Sequence, residues 1–180
     1  MALFDAFLKI DGIKGESADA KHKGEIDIVS FSWGLAQTGV SATGGGGGAG
    51  KVHVHDMEFT KKTDAASPLL MLNCANGAHI KEASFVVRKA GGEQLEYLKI
   101  KLTDILVSSY KPHGLAAADI AAGGGTVAGV ENPTTDEIPS EHFSLNFAKV
   151  EFSYQTQGAD GKAQGGPIVA GWDVKANQKV

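Results

Sequence analysis

Two histidines two residues apart, His53 and His55 in the stretch KVHVHDMEF, are the clearest chemical feature of the chain. The stretch alternates like a β-strand, and residues i and i+2 of a strand project from one face. Two imidazoles side by side could ligate a transition metal, with Asp56 or Glu58 as a carboxylate partner. Just upstream, Gly45–Lys51 fits G-x-x-x-x-G-K, a pattern that cradles phosphates. It arises here almost automatically from a polyglycine run. Val52 stands where a magnesium-binding Ser or Thr is needed, and a strand-like segment follows instead of a helix N-terminus. Ser30, Ser32 and Ser67 lack a nucleophile elbow. Arg88 is the sole arginine, so no paired guanidinium clamp exists for phosphate or carboxylate. Cys74 sits in an apolar helical stretch and reads as a packing residue. These residues propose no reaction, and the expectation is a protein without catalytic residues or cofactor.

The His53/His55 pair resembles the first half of a cupin metal motif, and His142 with Asn146 echoes the second half. Glu58 lies too near His55 for the cupin spacing, and no Pro-x-Gly precedes His142. Met57 and Phe59 alternate onto the histidine face, so a part-buried packing or interface role is the simpler expectation. A metal-dependent cupin-like β-barrel enzyme using His53 and His55 is one alternative reading. A non-enzymatic β module that binds carbohydrate or protein through Trp33 and Trp172 is another.

The elements that must position these residues are mostly strands. Periodicity places them at residues 3–10, 25–37, 52–60, 79–89, 94–110, 142–155 and 168–174. In 25–37, Ile26 and Ile28 share one face before Val29, Phe31 and Trp33 take the other, a phase slip of the kind a β-bulge makes. A second slip falls between Phe147 and Val150. Gly91-Gly92 turns residues 79–89 and 94–110 into a hairpin. Lys99 and Lys101 alternate with Leu98, Ile100 and Leu102, giving that strand one wet face. Residues 111–141 read as a long irregular segment with a short helical turn near Leu115–Ala122. The one clear helix lies within Thr63–Gly77, with Ser67 as a cap, Pro68 at the first position and Asn76-Gly77 as the stop. Leu69–Leu72 make it apolar nearly all round, so it needs cover on most sides. About seven strands and one short helix, with bulges that bend sheets, are expected to close into a β-barrel of two antiparallel sheets.

A chain of 180 residues forms a single domain, 1–180, and can bury roughly two-thirds of its unfolded surface. A hydrophobic fraction of 42% excludes disorder, and no apolar run reaches the roughly 20 residues of a membrane span. The net charge of −4 and the lack of any basic run argue against nucleic acid. The N-terminus MALFDAFLKI alternates and carries Asp5, which does not fit a signal peptide. One cysteine excludes an internal disulfide framework.

Longer segments carry more than periodicity. KIDGIKGES at Lys9–Ser17 leads into KHKGEIDI at Lys21–Ile28 and SFSWG at Ser30–Gly34. VHDMEFTK at Val54–Lys61 is followed by Asp64–Gly77, LNFAKV at Leu145–Val150 and GWD at Gly171–Asp173. In order and spacing these resemble the haemolysin-coregulated protein family, the tube subunit of the bacterial type VI secretion system. The resemblance implies a β-barrel with one helix packed alongside and a hexameric ring with a wide channel. It implies rings stacked in a contractile sheath, capped by a spike protein, carrying effector proteins in the lumen. It also implies a bacterial cytoplasmic protein that is later secreted without a signal peptide. An extended loop reaching the adjacent ring would fall on residues 38–50, making Thr38, Gly39, Val40, Ser41 and Gly46 stacking candidates. Ordering a polyglycine loop costs roughly 1–2 kcal/mol per residue, so free rings are expected to stack weakly without a template. Leu70 and Met71 are the ring-interface candidates, with Leu69–Leu72 divided between barrel and neighbour.

Overall fold

Alternating apolar and polar residues pair into a long antiparallel array. The computed structural model describes residues 4–37, 51–89, 94–114, 138–158 and 161–180. The chain order is β1 (Phe4–Ile10), β2 (Ile26–Asp27), β3 (Ser30–Ser32), β4 (Leu35–Ala36), β5 (His53–Val54), β6 (Met57–Lys62), α1 (Ser67–Asn76), β7 (Ile80–Lys89), β8 (Glu96–His113), β9 (Ser140–Tyr154), β10 (Ile168–Asp173) and β11 (Gln178–Lys179). Nine strands form one sheet, along the order β11-β10-β9-β8-β7-β1-β2, with β6 joining β9 to β3. β4 and β5 form a separate two-stranded sheet. The hairpin of β7 and β8 forms in antiparallel register, while its Gly91-Gly92 turn lies outside the described residues, as does the helical turn expected at Leu115–Ala122. β8 runs on to His113 and β9 starts at Ser140, so both strands extend into the segment expected to be irregular. β11, in what reads as a polar tail, is an added edge strand.

The two antiparallel sheets and the short helix are those expected, but one feature of the expected barrel needs correction: the ladder does not close without a break. The route back from β1 to β6 passes through residues 26–32, which change partner partway. The Ile28 N–H donates to Ala6 of β1 at 2.9 Å, and the next N–H, Val29, donates to Thr60 of β6 at 2.8 Å. Consecutive residues thus serve opposite edges, which divides β2 from β3, and the expected single strand is broken again before β4. The phase slip read from Ile26, Ile28 and Phe31 is this handover. The slip in β9 faces Asp104 of β8, which takes a positive φ of 53° between the pairs Thr103↔Lys149 and Ile105↔Phe147. A left-handed residue inside a strand swings the side chains that follow it, so the buried phase of β8 shifts from Ile100 and Leu102 to Ile105 and Val107, and opposite it on β9 Phe147 and Ala148 are both buried.

The core gathers Leu8, Ile26, Met57, Phe59, Phe85 and Phe143, with Phe59 packed on Phe85 and Phe143 at centroid distances of 5.3 Å each. Cys74 packs against its edge. Lys99 and Lys101 point to solvent and pair with Glu96 and Glu82.

Residues 11–25 carry no strand and are held by specific contacts. The Gly15 N–H donates to Gly24 and the Ser17 N–H to Glu25, both at 3.0 Å. A Cβ on Gly15 would lie 2.4 Å from the Glu25 carbonyl oxygen and 2.7 Å from Ile26 Cα. Both obstacles are backbone, so Gly15→Ala is expected to lower stability by about 1–3 kcal/mol in urea unfolding. Arg88, almost wholly buried, donates to Asp19 and, at 3.1 Å, to Asp5, while its guanidinium lies 4.8 Å from the Phe7 ring centre. The Arg88 guanidinium, with the Lys21 and His22 N–H groups, holds the Asp19 carboxyl down to about 2 from an ordinary 3.8. A lowered carboxyl stabilises the fold above its ordinary value and stops doing so as pH falls through its folded value. Amide protection over residues 14–25 is therefore expected to persist to about pH 4 and to fall towards pH 2, readable by hydrogen exchange.

Candidate functional site

Helix α1 presents an uncharged surface. Its sequence, SPLLMLNCAN, contains no acidic or basic residue. It packs against β8, with Leu70 turned wholly inward. Leu69, Met71 and Leu72 stand out to solvent, the last two half exposed. Proline lies in the first turn but as its second residue, since Ser67 takes the first position, and Gly77 ends the helix at φ 63° with its N–H donating to the Asn73 carbonyl at 3.1 Å. The cap is not Ser67, however. Ala66 occupies the cap position without a side-chain bond, and the Ser67 hydroxyl is engaged elsewhere.

It belongs to a buried polar anchor. Lys61 Nζ donates to Asp64 Oδ1 at 2.7 Å, to the Lys62 carbonyl at 2.8 Å and to Ser67 Oγ at 3.0 Å. It also lies 3.0 Å from Glu141 Oε2. Ser67 Oγ donates to Glu141 Oε2, and Tyr110 Oη donates to Glu141 Oε1, both at 2.9 Å. Lys61 is 0% and Glu141 1% exposed. Burial pushes the Glu141 carboxyl up, but Lys61, Ser67 and Tyr110 together outweigh it and leave it below the ordinary range. The same burial, with the Glu141 carboxylate, pushes the Tyr110 phenol up to about 12. At neutral pH this is an ionised carboxylate held by a cation and two hydroxyls. A satisfied buried network fixes geometry. Here it fixes how the first turn of α1 meets β6, β8 and β9.

Sequence reasoning missed this anchor, although a signal exists. Lys61 continues the core phase of Met57 and Phe59, and Glu141 precedes that of Phe143 and Leu145. Two opposite charges, each on the inward phase of its strand, can only be buried as a pair.

The other expected site residues fall apart from one another. His53 and His55 do stack, with ring centres 4.7 Å apart, beside the short β4–β5 sheet. They do not share a face with Met57 and Phe59, which are buried while both histidines are exposed. The strand breaks at residues 55–56, where the His55 carbonyl accepts from Trp33 Nε1 at 3.1 Å and Asp56 accepts from Asn146 at 2.7 Å. His142 is bound to Thr60 and stands edge-on to His113. Asn146 and His142 therefore serve different partners, and among the described residues no group of three or more His, Cys, Asp or Glu is placed to hold a metal. The residues do not fit a cupin centre. Trp33 and Trp172 are each half buried against the core. Thr38, Gly39, Val40, Ser41 and Gly46 lie outside the described residues, and Lys51 leads into β5, not a helix. Among the described residues no helix is long and apolar enough to cross a membrane.

Known proteins account for a surface-dominated molecule of this kind. The family described as type VI secretion system effector, Hcp, matches residues 7–154. Protein hcp1 of Pseudomonas aeruginosa is 45% identical over 174 residues, 96% of both chains. The crystal structure of Hcp1 from Salmonella typhimurium overlays at a TM-score of 0.75, with 38% identity and full coverage of both chains. A type VI secretion system effector from Yersinia pestis overlays at 0.68, with 34% identity over 94% of this chain and 99% of its own. The chain belongs to the Hcp family, the secreted, ring-forming tube subunits of the type VI secretion system, and is a structural protein, not an enzyme.

Proposed function

We propose that six copies close into a ring and that such rings stack into the inner tube of the secretion machine. In this reading the chain acts as one domain. The tube lies inside a contractile sheath under a spike protein, and effector proteins travel in the channel. Before firing the protein is in the bacterial cytoplasm, and it leaves with the tube, without a signal peptide. The observation that carries the reading is the outer face of α1. Leu69, Met71 and Leu72 lie exposed on an uncharged helix whose seating is fixed by a buried ionic anchor. A lone protomer gains nothing from rigidly displaying apolar side chains, whereas a ring of heterologous contacts needs such a patch on every copy. Leu70, fully buried within the protomer, then supports the helix, and Met71 makes the contact. Residues 38–50, carried on the β4–β5 base, supply the contact from ring to ring.

Sedimentation of the purified protein tests the ring. A species of about 112 kDa, six times the 18.7 kDa chain, is expected. A protein that sediments as 18.7 kDa at all concentrations overturns the proposal.

A further inference from the structure

The core-facing side of the sheet does not stop where its cover stops. Paired residues share a face, and one row reads Ala6, Val87, Leu98, Tyr154 and Ile168 from β1 to β10. The next reads Leu8, Phe85, Ile100, Phe152 and Ala170. Each row is apolar throughout, and each emerges from the core as it crosses β9. Val87 is 1% and Ile100 1% exposed, while Phe152 is 37%, Tyr154 43% and Ile168 65% exposed. The opposite face of the same strands carries Lys99, Lys101 and Glu151. The overhang is thus core surface without a core. Its border is open too. β11 pairs with β10 only at Trp172 and Asp173, so among the described residues no strand covers the edge of Ile168–Ala170 that faces away from β9. An unpaired apolar edge is a surface that proteins cover.

We infer that this overhang of β9 and β10 is the second half of the ring contact, and that it receives the outer face of α1 from the next copy of the chain. The inference rests on the ring proposed above and names its two unlike patches. A closed ring of identical chains built on heterologous contacts requires two such patches on every copy. The pair matches in kind: Leu69, Met71 and Leu72 on an uncharged helix, against Phe152, Tyr154 and Ile168 with no charge among them. Apolar surface of this kind can be desolvated without stranding an ion. A second copy also explains why both patches remain uncovered on one chain.

Chemical crosslinking decides it. The chain carrying Cys74→Ser, Met71→Cys and Ile168→Cys is treated with a short bismaleimide and run under denaturing conditions. The expected result is a covalent ladder extending to six chains, with no crosslinked dimer from either single-cysteine variant, because in a heterologous contact a residue does not meet its own copy. Ile168→Asp is expected to move the sedimenting species from about 112 to 18.7 kDa. A hexamer that gives no ladder, or that keeps its mass with Ile168→Asp, overturns the inference and leaves the ring standing. Single-cysteine variants that crosslink as well as the double variant overturn the heterologous pairing. A wild-type chain that sediments only as a monomer overturns the ring itself.

Discussion

Replacing Lys61 by methionine is expected to lower the free energy of unfolding by about 3–5 kcal/mol, the usual cost of removing one partner from a buried ion pair. The side chain nearly fits, so the loss is electrostatic. Glu141 keeps its bonds from Ser67 and Tyr110, but Asp64 is then a second carboxylate in a site with no cation. The sign of the pH dependence should invert with it. In the wild-type chain the Glu141 carboxyl lies below its ordinary 4.5, so its contribution is present above that value and is lost as pH falls through the folded value. Without Lys61 the first cause, burial, acts against the remaining hydroxyls without the cation. The carboxyl then rises, and acidification to protonate it should stabilise the variant. Adding Glu141→Gln should restore much of the loss, since a neutral amide accepts from one of the two hydroxyls through its oxygen and donates its N–H to the oxygen of the other. Urea unfolding of the wild type, of each single variant and of the double variant from pH 4 to 8, at one protein concentration because assembly is linked to stability, gives the comparison. A Lys61→Met variant as stable as wild type and of unchanged pH slope would show that the pair does not hold α1.

The strands and the helix were legible in the sequence because both are written in local periods. Met57 and Phe59, or Leu98, Ile100 and Leu102, announce an inward phase without reference to any partner. Register and closure are not local. Nothing in Ile28-Val29 says that the two N–H groups will serve different strands, and so residues 25–37 read as one bulged strand. The Ser67 hydroxyl shows the same limit. Its position before Pro68 is that of a cap, yet Lys61 and Glu141, 6 and 74 residues away, claim it. Alternation also extended the histidine face through Met57 because a break at residues 55–56, made by Trp33 and Asn146, has no signature within the stretch. The assembly surface was half visible. Four consecutive large apolar residues on a short helix exceed what one core can cover, but only the seating of α1 separates Leu70, which is inside, from Met71, which is outside.

That separation gives the largest effect on assembly. Met71→Asp is expected to abolish the ring while leaving the protomer almost as stable as before. At an exposed position the change should move protomer stability by no more than about 0.5 kcal/mol. In a closed contact the same carboxylate would be desolvated without a partner, at several kcal/mol for each interface, and the ring repeats that cost at every one of its contacts. Sedimentation should then show the 18.7 kDa chain with an unchanged circular dichroism spectrum. Leu70→Ala should behave the other way. It removes a fully buried side chain from under the helix and should cost about 2–5 kcal/mol of folding stability, while rings persist under conditions where the variant stays folded. Met71→Leu, apolar and of similar volume, should keep both. An intact hexamer for Met71→Asp would mean that the outer face of α1 meets no neighbouring protomer, and the uncharged helix would need a different explanation. Opposite outcomes for two adjacent residues cannot come from a general loss of folding, because either substitution acting through the fold would lower stability and assembly together.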